Sequence, residues 1–136
     1  MTLFFDTNVL VYCTNIAAPP KQARARQLVM QASLDGDGWI STQVLIELFN
    51  VLTRKQKIPA TAARDLALSY TAWPVVNSDL ALVGAAMETS ARQHLSIWDA
   101  MVVEAALRSG ANILYTEDLT HGQRFGALTV VNPFLG

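Results

Sequence analysis

Leu3-Phe4-Phe5-Asp6-Thr7-Asn8-Val9-Leu10-Val11-Tyr12 is an apolar run that stops at an acid and, two polar residues later, turns apolar again. Three consecutive apolar residues suit a strand buried on both faces, because a strand with one wet face would alternate polar and apolar positions. Val9 to Tyr12 then reads as a short helix. Further short apolar runs follow along the chain. Trp39-Ile40 is a second short apolar strand, Pro74-Val75-Val76 a third, Ile113-Leu114-Tyr115 a fourth, and Leu128 to Val131 a fifth.

Helical spacing fills the intervals. Pro19-Pro20 breaks the first helix, and Lys21 to Gln31 carries Ala25, Leu28, Val29 and Ala32 toward a turn at Asp35-Gly36-Asp37-Gly38. Ser41 or Thr42 can cap a helix from about Gln43 to Lys55 whose apolar stripe is Leu45, Leu48, Phe49 and Leu52. Pro59 to Ala72 reads as a further helix. Ser78 is placed to cap the next, marked by Leu80, Val83 and Met87; Ser96 caps the last, which runs to Arg108 and ends at Gly110. Short apolar strands alternating with helices predict a three-layer α/β/α domain around a mostly parallel five-stranded sheet, a single domain over residues 1–136.

Composition limits the function. A chain of 136 residues buries roughly two thirds of its unfolded surface and needs no staples. Its apolar content of 51% and mean hydropathy of +0.26 leave a surplus that can cover a partner. No run is long enough to span a bilayer and no signal core follows the N-terminus, so a cytoplasmic protein without membrane contact is expected. The lone Cys13 excludes an internal disulfide and a cysteine-rich zinc site, leaving oxygen or histidine to bind any metal. A net charge of −1 gives no global field for nucleic acid. Lys21, Arg24 and Arg26 cluster locally, as do Arg54, Lys55 and Lys57. These read first as a solvated helix face and a dipole-favoured helix end, with a phosphate-binding patch as the alternative.

Ligands of open α/β sheets bind beyond the carboxyl ends of the strands. Asp6 and Asp118 follow the first and fourth strands and reach that edge. Glu47 and Asp99 fall on largely apolar helix faces, where a charge is costly unless it is paired or binds a metal. Each acid alone has an ordinary alternative: Asp6 as a cap, Asp99 in a first helical turn, Asp118 in a turn, Glu47 paired inward with an arginine. Jointly they suit a hard divalent cation held through oxygen, and hence metal-assisted phosphodiester hydrolysis. If extended geometry continues past Tyr115, Thr116 and Asp118 face one way and Glu117 the other.

Phe5-Asp6-Thr7-Asn8-Val9-Leu10, Ser41-Thr42-Gln43-Val44-Leu45 leading to Glu47, Ile97-Trp98-Asp99-Ala100, Tyr115-Thr116-Glu117-Asp118-Leu119 with His121-Gly122, and Val131-Asn132-Pro133-Phe134 resemble, in order and at family spacing, the PIN domain of VapC-type toxins. The resemblance implies an endoribonuclease, a hydrolase forming the toxin half of a toxin–antitoxin pair. It implies Asp6, Glu47, Asp99 and Asp118 as the catalytic acids and Asp6, Asp99 and Asp118 as ligands of Mg2+ or Mn2+. It further implies an RNA substrate, a cognate antitoxin and a homodimer. Asn8 and Thr116 match supporting polar positions, with ordinary turn and strand-end bonding as the alternative.

Three other readings compete. A haloacid dehalogenase-type phosphatase needs a second aspartate where Asn8 stands. A metal-free ribonuclease would use His94 and His121, which show no catalytic spacing. A catalytically inactive PIN-like interaction module would use the apolar surplus for a partner alone. Trp98 is expected in the core beside Leu95 and Ile97, with stacking on an RNA base as the alternative; Trp39 and Trp73 are also expected in the core.

Overall fold

The computed structural model describes residues 1–135. In chain order the elements are β1 (Leu3–Phe5), α1 (Thr7–Tyr12), α2 (Pro19–Asp35), β2 (Gly38–Ser41), α3 (Thr42–Arg54), α4 (Ala60–Ser69) with a 3-10 turn at Tyr70–Ala72, β3 (Val75–Val76), α5 (Leu80–Gln93), α6 (Ile97–Arg108), β4 (Ile113–Tyr115), β5 (Arg124–Phe125) and β6 (Leu128–Val131). The strands form one sheet in the order β3-β2-β1-β4-β6-β5, parallel throughout except for β5 against β6. Leu3 lies opposite Gly38 on one side and Ile113 on the other, so β1 is internal. Phe4 and Phe5 are wholly buried, as their unbroken apolar run requires; burying each contributes about 2 to 3 kcal/mol.

From β1 the chain steps outward to β2 and β3, then returns across the sheet to β4. Right-handed crossovers therefore place α1 to α4 on one face and α5 and α6 on the other. The reversal makes the carboxyl ends of β1 and β4 the switch point, where two oppositely wound connections part and leave a crevice. α6 brings Ala100, Met101, Val102, Val103, Ala105 and Ala106 into the core, its small residues letting α5 pack closely.

Six strands replace the predicted five. β5 is only two residues long and joins β6 through a tight hairpin in which Gly126 adopts φ +61, a conformation glycine takes without steric cost. So short a strand carries no periodicity to read. The expected turn at 35–38 is also redistributed: Asp35 ends α2, Gly36 turns at φ +69, and Gly38 begins β2. A side chain at 38 would meet the Trp73 indole at 2.7 Å, so glycine lets that ring lie flat on the strand.

Other differences concern helices. Asp79, not Ser78, caps α5, its carboxylate accepting the Leu82 N–H at 2.9 Å and an Arg108 guanidinium N–H at 2.9 Å. The inward face of α5 is Leu82, Ala86 and Thr89, whereas Leu80 and Met87 are exposed at 87% and 60%. Phe49 lies at the margin of its stripe, 38% exposed. Pro59 precedes α4 as its cap instead of opening it. Trp73 joins the core and Trp39 packs against it, but Trp98 stands 66% exposed. Its neighbours Ile97 and Leu95 are the ones that pack inward.

Candidate active site

Asp6 follows β1 in extended geometry and caps α1, so backbone and side chain both fix its position. Its carboxylate accepts the Thr7 N–H at 2.7 Å, the Thr116 hydroxyl at 2.8 Å and an Asn8 amide N–H at 3.3 Å. The residue is 5% exposed. Burial pushes its pKa up from 3.8 to about 7 against the hydrogen bonds from Thr116 and Thr7, with further upward pressure from the charges of Asp118 and Glu47. Asp6 is a carboxylate in a place that disfavours its charge.

Glu47 projects from the middle of α3. Its two oxygens accept separately, one from the Thr7 hydroxyl at 3.1 Å and the other from the Gln43 amide at 2.7 Å. Gln43 also donates to the Trp98 carbonyl at 3.3 Å, tying α3 to the first turn of α6, where Asp99 sits. The arginine partner considered for Glu47 is replaced by these neutral donors. Asp99 is half-buried, and its N–H donates to Ser96 Oγ at 3.0 Å in a helix cap. Burial raises its pKa first, opposed by Ser96, and the charges of Asp118 and Glu47 raise it further.

β4 ends at Tyr115, so Asp118 is not reached by extended strand geometry. Thr116 still extends the ladder by donating its N–H to Val131, and the Asp118 N–H then turns back onto the Thr116 hydroxyl at 3.1 Å. This turn gives the separation expected of alternation by another route. Asp118 accepts from Asn8 at 3.0 Å, while Glu117 points away to the Tyr12 hydroxyl at 2.7 Å and the Lys21 ammonium at 3.1 Å. Asn8 is the centre of this corner, its amide shared among Asp6, Thr116 and Asp118 and its carbonyl accepting the Glu117 N–H at 3.3 Å.

Three of the four expected acids thus border one cleft at the switch point. Asp6, Glu47 and Asp118 border a cleft of about 350 Å3, and Asp99 is within electrostatic reach of Asp118 and Glu47. A larger hollow of about 450 Å3 lies beside Trp73 and has no acid in its wall. Among the described residues no ion pair engages any of the four acids, and no three acid, histidine or cysteine side chains close into a ready-made metal cage. An open set of unpaired carboxylates suits Mg2+, which keeps several waters and takes one or two carboxylates directly. Neither histidine borders the cleft: His94 ends α5 at φ 57, and His121 accepts the Asn132 N–H at 3.0 Å.

Thr7 and Gln43 are the contributors that sequence reasoning missed. Gln43 was legible in principle, because it lies one helical turn before Glu47 on the same face. Thr7 gives no comparable signal, since its contact with Glu47 spans 40 residues of sequence.

The switch-point crevice lined by carboxylates defines an α/β domain built to act on a ligand at the carboxyl edge of its sheet. Residues 3–123 match the PIN domain family, and the chain belongs to it. Its structure resembles that of VapC20 from Mycobacterium tuberculosis, a toxin that cleaves the sarcin-ricin loop, with a TM-score of 0.71 and 23% identity over 86% of this chain and 90% of that one. It also resembles a toxin–antitoxin complex from Klebsiella pneumoniae, with a TM-score of 0.69 and 16% identity over 98% of both chains. VapBC2 from Rickettsia felis, bound to a DNA fragment from its promoter, gives 0.65 and 17% over 96% and 97%. No curated protein matches the chain in sequence.

Proposed function

We propose that this chain is a metal-dependent endoribonuclease and the toxin of a toxin–antitoxin pair. The observation that carries the reading is the cleft bordered by Asp6, Glu47 and Asp118, with Asp99 within electrostatic reach and no ion pair to any of the four among the described residues. Such a group repels itself until a cation joins it, and Asp6, raised to about 7 by burial, records that repulsion in part.

Asp6, Asp99 and Asp118 are the residues to hold Mg2+ or Mn2+. Asn8 and Thr116 fix the orientations of Asp6 and Asp118 by donating to them or bridging between them. Glu47, with both oxygens occupied by Thr7 and Gln43, is held so that its remaining lone pairs can orient a water and accept its proton. When bound, the cation supplies Lewis acidity, lowering the pKa of a water and offsetting charge on the phosphoryl oxygens. Products then carry a 5′-phosphate and a 3′-hydroxyl.

An antitoxin and a second copy of the chain are proposed as partners. The reading is supported by the complexes that two of the similar structures represent and by exposed apolar side chains on α3 and α4, including Ile46 and Leu68. No helix among the described residues is long and apolar enough to cross a membrane.

The test is cleavage of structured RNA by antitoxin-free protein. Activity with Mg2+ or Mn2+, its loss in EDTA and product ends with a 5′-phosphate are expected. Full activity in EDTA, or 2′,3′-cyclic phosphate ends, overturns the mechanism.

A further inference from the structure

The two basic clusters have different fates in the fold. In the first, Lys21 is held by Glu117 and Tyr12, Arg24 donates to the Pro133 carbonyl, and Arg26 donates to the Cys13 carbonyl. In the second, Arg54 and Lys57 do not border the acidic cleft, whereas Lys55 lies in its wall. Lys55 is exposed, takes part in no ion pair among the described residues, and is the one cation lining a cleft otherwise rich in acids.

Its place along the cleft follows from two helices that run side by side in the same direction. Thr7 of α1 bonds Glu47 of α3, and about two turns later Thr14 bonds Gln56 while the Gln56 amide donates to the Val11 carbonyl. Between these ends Val11 and Val51 line the floor. Glu47, Val51 and Lys55 are spaced by four residues and share one face of the helix. Lys55 is therefore about 12 Å along α3 from Glu47, at eight residues of helical rise. The cleft is acidic where it meets the sheet, apolar in its middle and cationic at its far end.

We propose that Lys55 is a phosphate contact for the RNA strand, binding a backbone phosphate next to the scissile one and so laying the strand along the cleft between α1 and α3. This rests on the ribonuclease reading for its substrate. A chain of net charge −1 has no global field to draw in a polyanion. A single cation at the far end of the groove gives the strand its direction. The apolar floor of Val11 and Val51 accommodates sugar and base, while the ammonium, as a compact point charge, takes phosphate of any sequence.

The probe is a fluorescein-labelled single-stranded RNA, titrated by anisotropy against the full chain carrying Asp118→Asn, in Mg2+ and at several KCl concentrations. Adding Lys55→Gln should weaken binding several-fold and reduce the slope of log Kd against log salt by about 0.7, the value for one phosphate contact on a single strand. Lys55→Arg should restore both, and Lys57→Gln should change neither. In the otherwise wild-type protein, Lys55→Gln should raise KM and leave kcat within about twofold. An unchanged salt slope overturns the proposal, as does a fall in kcat alone, or a loss of melting temperature showing that Lys55 serves only the helix end. Weakened capture of an acidic protein partner with unaltered RNA affinity also overturns it, assigning Lys55 to a protein interface. Binding and cleavage separate the two readings: RNA bound through Lys55 but never cut sinks the nuclease, whereas metal-dependent cutting indifferent to Lys55 sinks only the contact.

Discussion

Replacing Asp6 by asparagine should stabilise the metal-free protein. The carboxyl titrates at about 7 in the fold against 3.8 ordinarily. Because the folded value is raised, the ionised form is penalised: the penalty is fully present above about pH 7 and vanishes as pH falls toward 3.8. At about 1.4 kcal/mol per tenfold, the displacement corresponds to about 4 kcal/mol near pH 8. Asparagine keeps one acceptor for the Thr7 N–H but sets an amide against Thr116, whose hydroxyl already accepts from Asn8 and from the Asp118 N–H. That mismatch costs about 1 to 2 kcal/mol. The net gain of about 2 kcal/mol converts, for a domain of this size, to a melting temperature higher by roughly 6 °C. Thermal denaturation followed by circular dichroism, in chelator from pH 5 to pH 9, measures it. Wild type should lose stability from pH 5 up to about 7 and level off above it, the variant should be nearly flat, and saturating Mg2+ should close the gap from the wild-type side. A variant less stable than wild type at pH 8, or a wild-type melting temperature indifferent to pH, would refute the account of Asp6.

The two neighbouring acids of the β4 turn should behave oppositely. Asp118→Asn should lower single-turnover cleavage by at least about tenfold with the fold intact, whereas Glu117→Gln should cost little, since Glu117 turns to Lys21 and Tyr12 in a partly exposed pair worth less than about 1 kcal/mol. Gln43→Met should also slow cleavage, by several-fold, because it removes the 2.7 Å donor that orients Glu47 and the link to Trp98.

The sequence discloses most where one residue type has one physical use. Phe4 and Phe5, apolar in succession, could only be an internal strand, and Asp6 behind them had to reach the sheet edge. Ser96 was legible as a cap for the same reason, whereas for α3 Ser41 and Thr42 were equal candidates and Ser41 accepts the Val44 N–H. Legibility fails where two stripes interleave. α5 offers Leu80-Val83-Met87 and also Leu82-Ala86-Thr89, and close approach to α6 selects the set with smaller residues. Trp98 is misread because Leu95 and Ile97 before it are apolar, yet the first turn of α6 packs those two inward and leaves the indole exposed. Ser78 and Asp79 are both good caps by composition, and the choice of Asp79 accompanies a pairing with Arg108 twenty-nine residues away.

The four acids enter the cleft from positions 6, 47, 99 and 118, and the turn carrying the last is anchored by the bond from Thr116 to Val131. β6 in turn completes the sheet beside β4 only when residues up to Val131 are available to pair. During synthesis the chain therefore carries three of its acids long before it can assemble them. The turn that carries Asp118 is held by a strand made after it, so loss of residues 128–131 should leave that acid without its anchor while sparing the caps that place Asp6 and Asp99.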